Sequence, residues 1–370
     1  MPRLPSTYLR IPWIAALLLP IPACDSPTPS DDGGGSTTAT ADDDDDDDND
    51  NDDDDDDADG STGDDDDDDA PGDDDDDDDD APGDDDDDDD DDDQPVDCTG
   101  RGGMPGLFTD QNVVVDGLAR SFDLFVPTTY DPTDPAPLVL NFHGLTGNPA
   151  LQANRSKFND VAEPRGMVVA YPAGIGASFN SGACCGDAFS QGIDDVAFSR
   201  ALVEHLEQIM CIDPSRVYAT GMSNGGHMAH LLACEAADMF AATASVTGVL
   251  NLPPQTCNPS RPISVMDFHG DIDPIVPFGG TGIGFPDVPT MMADWAARNG
   301  CSATGEVSFA EGDTACTTWP ECDAGVEVTL CVTQGGGHCW PGADTCLFGH
   351  VTQAISASEA IATMFDSQTL

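Results

Sequence analysis

The pattern of apolar and polar positions changes near residue 94, and beyond it short apolar runs alternate with stretches at helical spacing. Residues 112–115 and 120–126 flank Gly117 and predict two strands about a turn, the second ended by Pro127. Residues 137–142, 167–171, 240–246, 263–268 and 326–332 are short apolar runs of the kind buried strands carry. Helical spacing falls over 156–163, 291–299 and, longest, 194–210, where Val196, Phe198, Ala201, Leu202, Leu206 and Ile209 recur behind Asp194. Asp213 and Pro214 end that helix before a further strand over 216–219. A last amphipathic helix is expected over 351–365, with Ser358 interrupting its apolar face. Residues 173–191 hold too much Gly and Ser for regular structure and are expected to wall a pocket, pinned by disulfides. Strands alternating with helices predict an α/β class with a mainly parallel central sheet covered by helices on both faces.

Composition alters the picture mainly upstream of residue 94. Arg3 and Arg10 precede an apolar stretch over 11–22 that leads to Ala23 and Cys24, the layout of a secretory signal. That stretch is too short to span a bilayer. Residues 21–24, Ile-Pro-Ala-Cys, resemble a bacterial lipobox with Pro22 in place of the usual small residue, so Cys24 is the expected lipidation point and the expected contact with a membrane. Residues 31–93 contain 41 aspartates and, two prolines aside, no apolar residue larger than Ala. Such a segment cannot bury a core. Like-charge repulsion keeps it extended as a spacer, with a full reach of roughly 200 Å; calcium or mineral binding is the functional alternative. The expected organisation is a signal segment over 1–24, an acidic linker over 25–97 and one folded domain over 98–370. The formal net charge of −61 is mostly a property of the linker, but from residue 94 onward 30 acidic residues still face 9 Lys and Arg. A chain of this sign excludes nucleic acid as a partner.

Twelve cysteines remain once Cys24 is set aside, an even number in an exported chain, and disulfides are expected. No C-x-x-C pair or His/Cys cluster at ligand spacing stands out, so neither metal nor organic cofactor is expected. Pairing arithmetic allows about ten thousand connectivities, and the sequence does not choose among them.

The chemistry concentrates at residues 221–225, Gly-Met-Ser-Asn-Gly, between the strand over 216–219 and a run that suits a helix. A G-x-S-x-G turn from strand to helix holds its serine at the tip of the bend, with small residues where the two elements approach too closely for a Cβ. A serine hydroxyl needs an imidazole to take its proton and a carboxylate to orient that imidazole. Downstream of Ser223 come Asp271 and Asp273 in a turn after a strand, then His338 in a Gly-rich loop after the last strand, in the order Ser, Asp, His. Each follows a strand, so the three can converge on one edge of a parallel sheet.

At this level the chain resembles the secreted α/β-hydrolase esterases grouped with poly(3-hydroxybutyrate) depolymerases, feruloyl esterases and acetylxylan esterases. The resemblance rests on Phe142-His143-Gly144, Tyr171-Pro172, Asn180 with the Cys184-Cys185-Gly186 that follows, Asp194-Asp195-Val196, the block over 216–226, His269-Gly270-x-x-Asp273 and Gly336-Gly337-His338-x-Trp340-Pro341-Gly342. It implies a disulfide-stabilised α/β-hydrolase fold, a nucleophile at Ser223, an acid/base at His338 and an orienting acid at Asp273, with Asp271 the runner-up. It also implies oxyanion donors at the backbone N–H of Asn224 and of Leu145, with Thr146 as the alternate to Leu145. Cys339 departs from the hydroxyl residue relatives carry beside the histidine; a disulfide from it to Cys346 would tie down the His338 loop. Trp340 either lines the substrate cleft or packs the loop. Asp194 and Asp195 are expected as a helix cap and a structural hydrogen-bonding residue. His227 and His230 are expected in packing or surface roles, His143 and His269 in structural turns, and His205 and His350 have no partner motif. The expected activity is hydrolysis of feruloyl or acetyl esters on plant polysaccharide by an exported bacterial lipoprotein or secreted enzyme. Short-chain polyester hydrolysis is the alternative, and an inactive surface binding protein the remote one.

Overall fold

The computed structural model describes residues 96–281, 285–346 and 348–370. The expected signal segment, Cys24 and the linker up to residue 95 lie outside the described residues. β1 (Gly106–Val115) and β2 (Leu118–Val126) form an antiparallel hairpin with a register shift between Phe108 and Gln111. Then β3 (Ala136–Phe142), β4 (Val168–Pro172), β5 (Ile212–Met222), β6 (Ala242–Val246) and β7 (Ser264–Gly270) run parallel to one another. β8 (Glu306–Glu311) and β9 (Thr314–Trp319) form a second hairpin, and β10 (Val328–Thr333) pairs parallel with β7 and antiparallel with β9. One sheet results, in the order β1-β2-β4-β3-β5-β6-β7-β10-β9-β8. Its six central strands are parallel and each edge carries an antiparallel pair.

Every residue of β3, β4, β6 and β7 is buried, as continuous apolar strands sandwiched between helices should be. Successive side chains go to opposite faces. Leu138, Leu140 and Phe142 join one buried cluster, and Val139 joins the other. Each side chain of this size stabilises by about 1.5–3 kcal/mol when fully buried. The first cluster is covered by α4 (Asp195–Ile209) through Phe198, Leu202 and Leu206, by α5 (Asn224–Glu235) through Met228 and Leu231, and by α6 (Val288–Arg298) through Met291 and Trp295. The second is covered by α2 (Phe158–Ala162) through Phe158 and by α7 (Ala357–Asp366) through Ile361 and Phe365. This is the α/β-hydrolase arrangement, with helices on both faces.

Local chemistry moves several boundaries. The helix expected over 156–163 is split: α1 (Pro149–Ser156) begins at an Asn148 cap with Pro149 in the first turn, and Lys157, at φ 51°, breaks it before α2. The stretch over 173–191 is not wholly irregular, since α3 (Gly186–Ser190) forms in it. The last helix begins only at Ala357, behind a Ser356 cap. Ser358, the break in its apolar stripe, is buried and hydrogen-bonds the Ser156 carbonyl and the Trp340 indole, so the interruption is a partnered polar contact between layers.

Six cysteine pairs lie at disulfide positions: Cys98–Cys211, Cys184–Cys185, Cys234–Cys257, Cys301–Cys322, Cys316–Cys331 and Cys339–Cys346. The Cys184–Cys185 pair is between neighbours, so it closes no loop onto the rest of the chain. The 173–191 segment is held by other means.

Candidate active site

β5 lies between β3 and β6, and α5 starts one residue beyond its end. Ser223 takes φ 57° and ψ −120°, a conformation an L-residue rarely adopts, and it persists because the surroundings over-determine it. Its N–H donates to the Val246 carbonyl at 2.8 Å and its carbonyl accepts from the His227 N–H at 2.8 Å. A Cβ on Gly221 would strike the Gly225 carbonyl, and one on Gly225 the Phe142 carbonyl, so only glycine fits either position. Gly144, in the loop after β3, comes so close that an added Cβ would sit 3.2 Å from the Ser223 Cβ.

That loop distinguishes the two expected backbone donors. The Thr146 N–H is committed to the Ala177 carbonyl at 2.8 Å, whereas the Leu145 N–H has no such partner among the described residues. Asn224 opens α5, where the first N–H groups lack a carbonyl one turn earlier. Its side chain is fully used: Oδ1 accepts from the Phe179 N–H at 2.7 Å, and Nδ2 donates to the Phe179 carbonyl at 2.9 Å and to Ser181 Oγ at 3.2 Å. The 173–191 segment is thereby fixed to the residue next to Ser223. A second clamp is Asp195, buried, whose carboxylate accepts from Arg120 at 2.6 Å and from the Asn180 N–H at 2.7 Å. Asp194 caps α4 through the Ala197 N–H. His143 donates from Nδ1 to the Gly144 carbonyl and accepts at Nε2 from the Gly174 N–H, which fixes a neutral ring; burial pushes it down as well.

Asp273 lies in the turn after β7, its carboxylate closed to solvent. Oδ1 accepts from the N–H groups of Ile275 and Val276 at 2.8 and 2.9 Å, and Oδ2 takes Nδ1 of His338 at 2.7 Å. Asp271 is turned elsewhere: it is exposed and accepts from the Gly335 N–H at 2.6 Å, bracing the loop after β10. The His338 loop is held by its own N–H on the Phe348 carbonyl, by the Gly337 N–H on the His350 carbonyl and by the Cys339–Cys346 disulfide. With Nδ1 engaged, Nε2 is the remaining ring nitrogen of His338. Met222, Val246, Phe268 and Cys331 lie level across β5, β6, β7 and β10, so the residues that follow these strands emerge along one edge. Trp340 takes the packing role rather than a place in the cleft: it is 1% exposed and its indole N–H donates to Ser358.

Four side chains absent from the sequence reading as site residues also gather here. Asp267, inside β7, is buried between His230 of α5 and His269, each 3.4 Å away. A charged residue within the apolar run over 264–270 was the available signal. His227, one turn after Ser223, is fully enclosed beside the Cys184–Cys185 pair, and donor atoms of the three lie within 4.8 Å of one another. The cysteines are joined, so they offer no thiolate to a metal.

Burial pushes the His227 ring down to about 3. The unfolded chain would protonate it near 6.5, so the stability contributed by the neutral ring is complete above about 6.5 and is lost as pH falls toward 3. Each unit is worth about 1.4 kcal/mol. Urea unfolding at pH 7.5 and pH 5 is expected to show a loss of about 2 kcal/mol in the wild type that His227→Gln largely removes; equal losses in both proteins would contradict the assignment.

Comparison with known proteins identifies the family of the chain. The prolyl oligopeptidase family model matches residues 160–276. Feruloyl esterase B of Piromyces equi is 32% identical over 229 residues, a match that covers 57% of this chain but only 41% of that protein. Feruloyl esterase C of Emericella nidulans is 30% identical over 227 residues, covering 59% of this chain and 76% of that protein. Among solved structures, acetyl xylan esterase from Aspergillus awamori superposes with a TM-score of 0.53 at 16% identity, covering 70% of this chain and 99% of that one, a likeness of fold. The chain therefore belongs to the α/β-hydrolase esterase family that includes the feruloyl esterases, and it is a serine carboxylic ester hydrolase.

Proposed function

We propose that the protein hydrolyses feruloyl or acetyl esters of plant polysaccharide through a triad of Ser223, His338 and Asp273. The observation that carries the triad is the buried Asp273–His338 hydrogen bond, formed on the sheet edge where Ser223 is held at the tip of its turn. Ser223 Oγ attacks the acyl carbonyl while His338 Nε2 takes its proton and passes it to the departing alcohol. Asp273 holds the proton on Nδ1, so that Nε2 is the basic nitrogen. The oxyanion is met by the N–H groups of Asn224 and Leu145. Water, deprotonated by the same His338, then releases the acid and restores Ser223.

The plant-polysaccharide reading is supported by the names of two relatives, both feruloyl esterases. Export is supported by six disulfides, which persist in oxidising compartments, and anchoring through Cys24 remains part of this proposal. Methyl ferulate, acetylated xylan and polyhydroxybutyrate assayed side by side test the substrate class. One of the first two is expected to give the highest kcat/KM. Highest turnover on polyhydroxybutyrate would replace this reading with the polyester one.

A further inference from the structure

The two clamped ends of the triad are joined to a second buried carboxylate, and the join runs through one imidazole. His269 closes β7 with its side chain wholly enclosed. Its Nε2 lies 2.8 Å from the Val276 carbonyl and 3.8 Å from Asp273 Oδ2, the oxygen that also holds His338. Its Nδ1 faces Asp267 Oδ1 at 3.4 Å, at ion-pair distance and off the axis of an ideal hydrogen bond. A carbonyl only accepts, so Nε2 carries a proton, while Nδ1 faces a carboxylate at ion-pair distance, where a second proton would be stabilised. Val276 closes the circuit, since its N–H donates to Asp273 while its carbonyl receives from His269.

Charge balance points the same way. Asp267 is fully buried, and among the described residues its ion-pair partners are His230 and His269, with no lysine or arginine. An unpaired carboxylate at such a site is costly, and a protonated ring beside it would supply the compensating charge. His230 has Nε2 3.4 Å from Asp267 Oδ2, while its Nδ1 has no hydrogen-bond partner among the described residues; one proton, on Nε2, is enough for it. Of the two rings, His269 has an acceptor facing each nitrogen, Nε2 in a hydrogen bond with the Val276 carbonyl and Nδ1 at ion-pair distance from Asp267.

We propose that His269 is a positioning residue: a buried imidazolium, balanced by Asp267, that keeps the Asp273 carboxylate aimed at His338. The inference rests on Asp273 being the acid that orients His338. Burial disfavours charge on His269, yet Asp267, the Val276 carbonyl and Asp273 outweigh it and hold the ring above its ordinary value. Burial likewise opposes charge on Asp267, and His230 and His269 outweigh it, leaving the carboxyl below its ordinary value. The ionisable groups facing this ring are Asp267 from its own strand, Asp273 from the turn, His230 and His227 from α5, and His338 from the loop after β10. The Phe278 ring lies 6.0 Å away, tilted against the imidazole.

Selective 15N labelling of the seven histidines tests the charge directly in the full chain. One ring, absent from the spectrum of His269→Gln, is expected to keep both nitrogens protonated at pH 8, where an ordinary imidazole near 6.5 is neutral. A neutral ring at position 269, with the proton on Asp267 instead, overturns the proposal. In kinetics, His269→Gln is expected to lower kcat on a p-nitrophenyl ester on the order of 10²-fold, with KM held within about twofold, because misplaced catalytic groups act on the chemical step. Asp267→Asn should give a similar loss, and the double variant no more than the worse single one, since the two act as a unit. Unchanged kcat in His269→Gln, or additive losses, also overturn it. A triad reading that fails would show instead as turnover retained in Ser223→Ala, an outcome independent of the charge seen on His269.

Discussion

Ser223→Ala is expected to lower kcat for a short p-nitrophenyl ester by about 10⁴- to 10⁶-fold, the range seen when the nucleophile of a triad is deleted. The fold should be little affected. Backbone bonds hold the turn, from the Ser223 N–H to Val246 and from the His227 N–H to the Ser223 carbonyl, and both survive the change. The hydroxyl makes no capping bond to α5, so its loss leaves no buried partner unsatisfied. Urea unfolding with an unchanged midpoint would accompany the loss of turnover. Turnover within tenfold of the wild type would mean that another group attacks the ester.

Asp273→Asn is expected to cost about 10⁴-fold in kcat, with little change in KM. The two N–H groups of Ile275 and Val276 fix how the new amide must sit, because they demand an oxygen at the Oδ1 position. The amide nitrogen is then driven to the Oδ2 position, where it donates to His338 Nδ1. That donor forces the ring proton onto Nε2, the nitrogen that must receive the serine proton. The geometry survives while the tautomer is wrong. Asp271→Asn is the control, since Asp271 is exposed and touches only the Gly335 N–H; it should change kcat by no more than a few-fold. Comparable losses in the two variants would take the orienting role away from Asp273.

Much of this was legible in the sequence, for physical reasons that can be read residue by residue. The buried strands announced themselves as apolar runs because both their faces are covered, as with Pro137, Leu138, Val139 and Leu140 in β3. The turn at Ser223 was legible because a close approach of strand and helix admits only glycine at 221 and 225. The hairpin of β8 and β9 escaped because its residues are largely exposed and its alternation is weak. The anchoring of the 173–191 segment also escaped, since its partners Asn224 and Asp195 act through folded contacts that no spacing encodes. Expecting disulfides to pin that segment was wrong for a topological reason: its two cysteines pair with each other. The Asp267 network was hidden for the same reason as the anchors, because His230 lies 37 positions away and meets Asp267 only when α5 packs on β7.

The central claim is that Ser223 is the residue that takes up the acyl group, and covalent trapping tests it most directly. Treatment of the full chain with a fluorophosphonate, followed by peptide mass mapping, should place one phosphonyl adduct on Ser223 in step with the loss of activity. Ser223→Ala and Asp273→Asn should resist labelling, the first completely and the second by slowed reaction. An adduct on any other residue with activity lost in step, or full inactivation with Ser223 unmodified, would contradict the account.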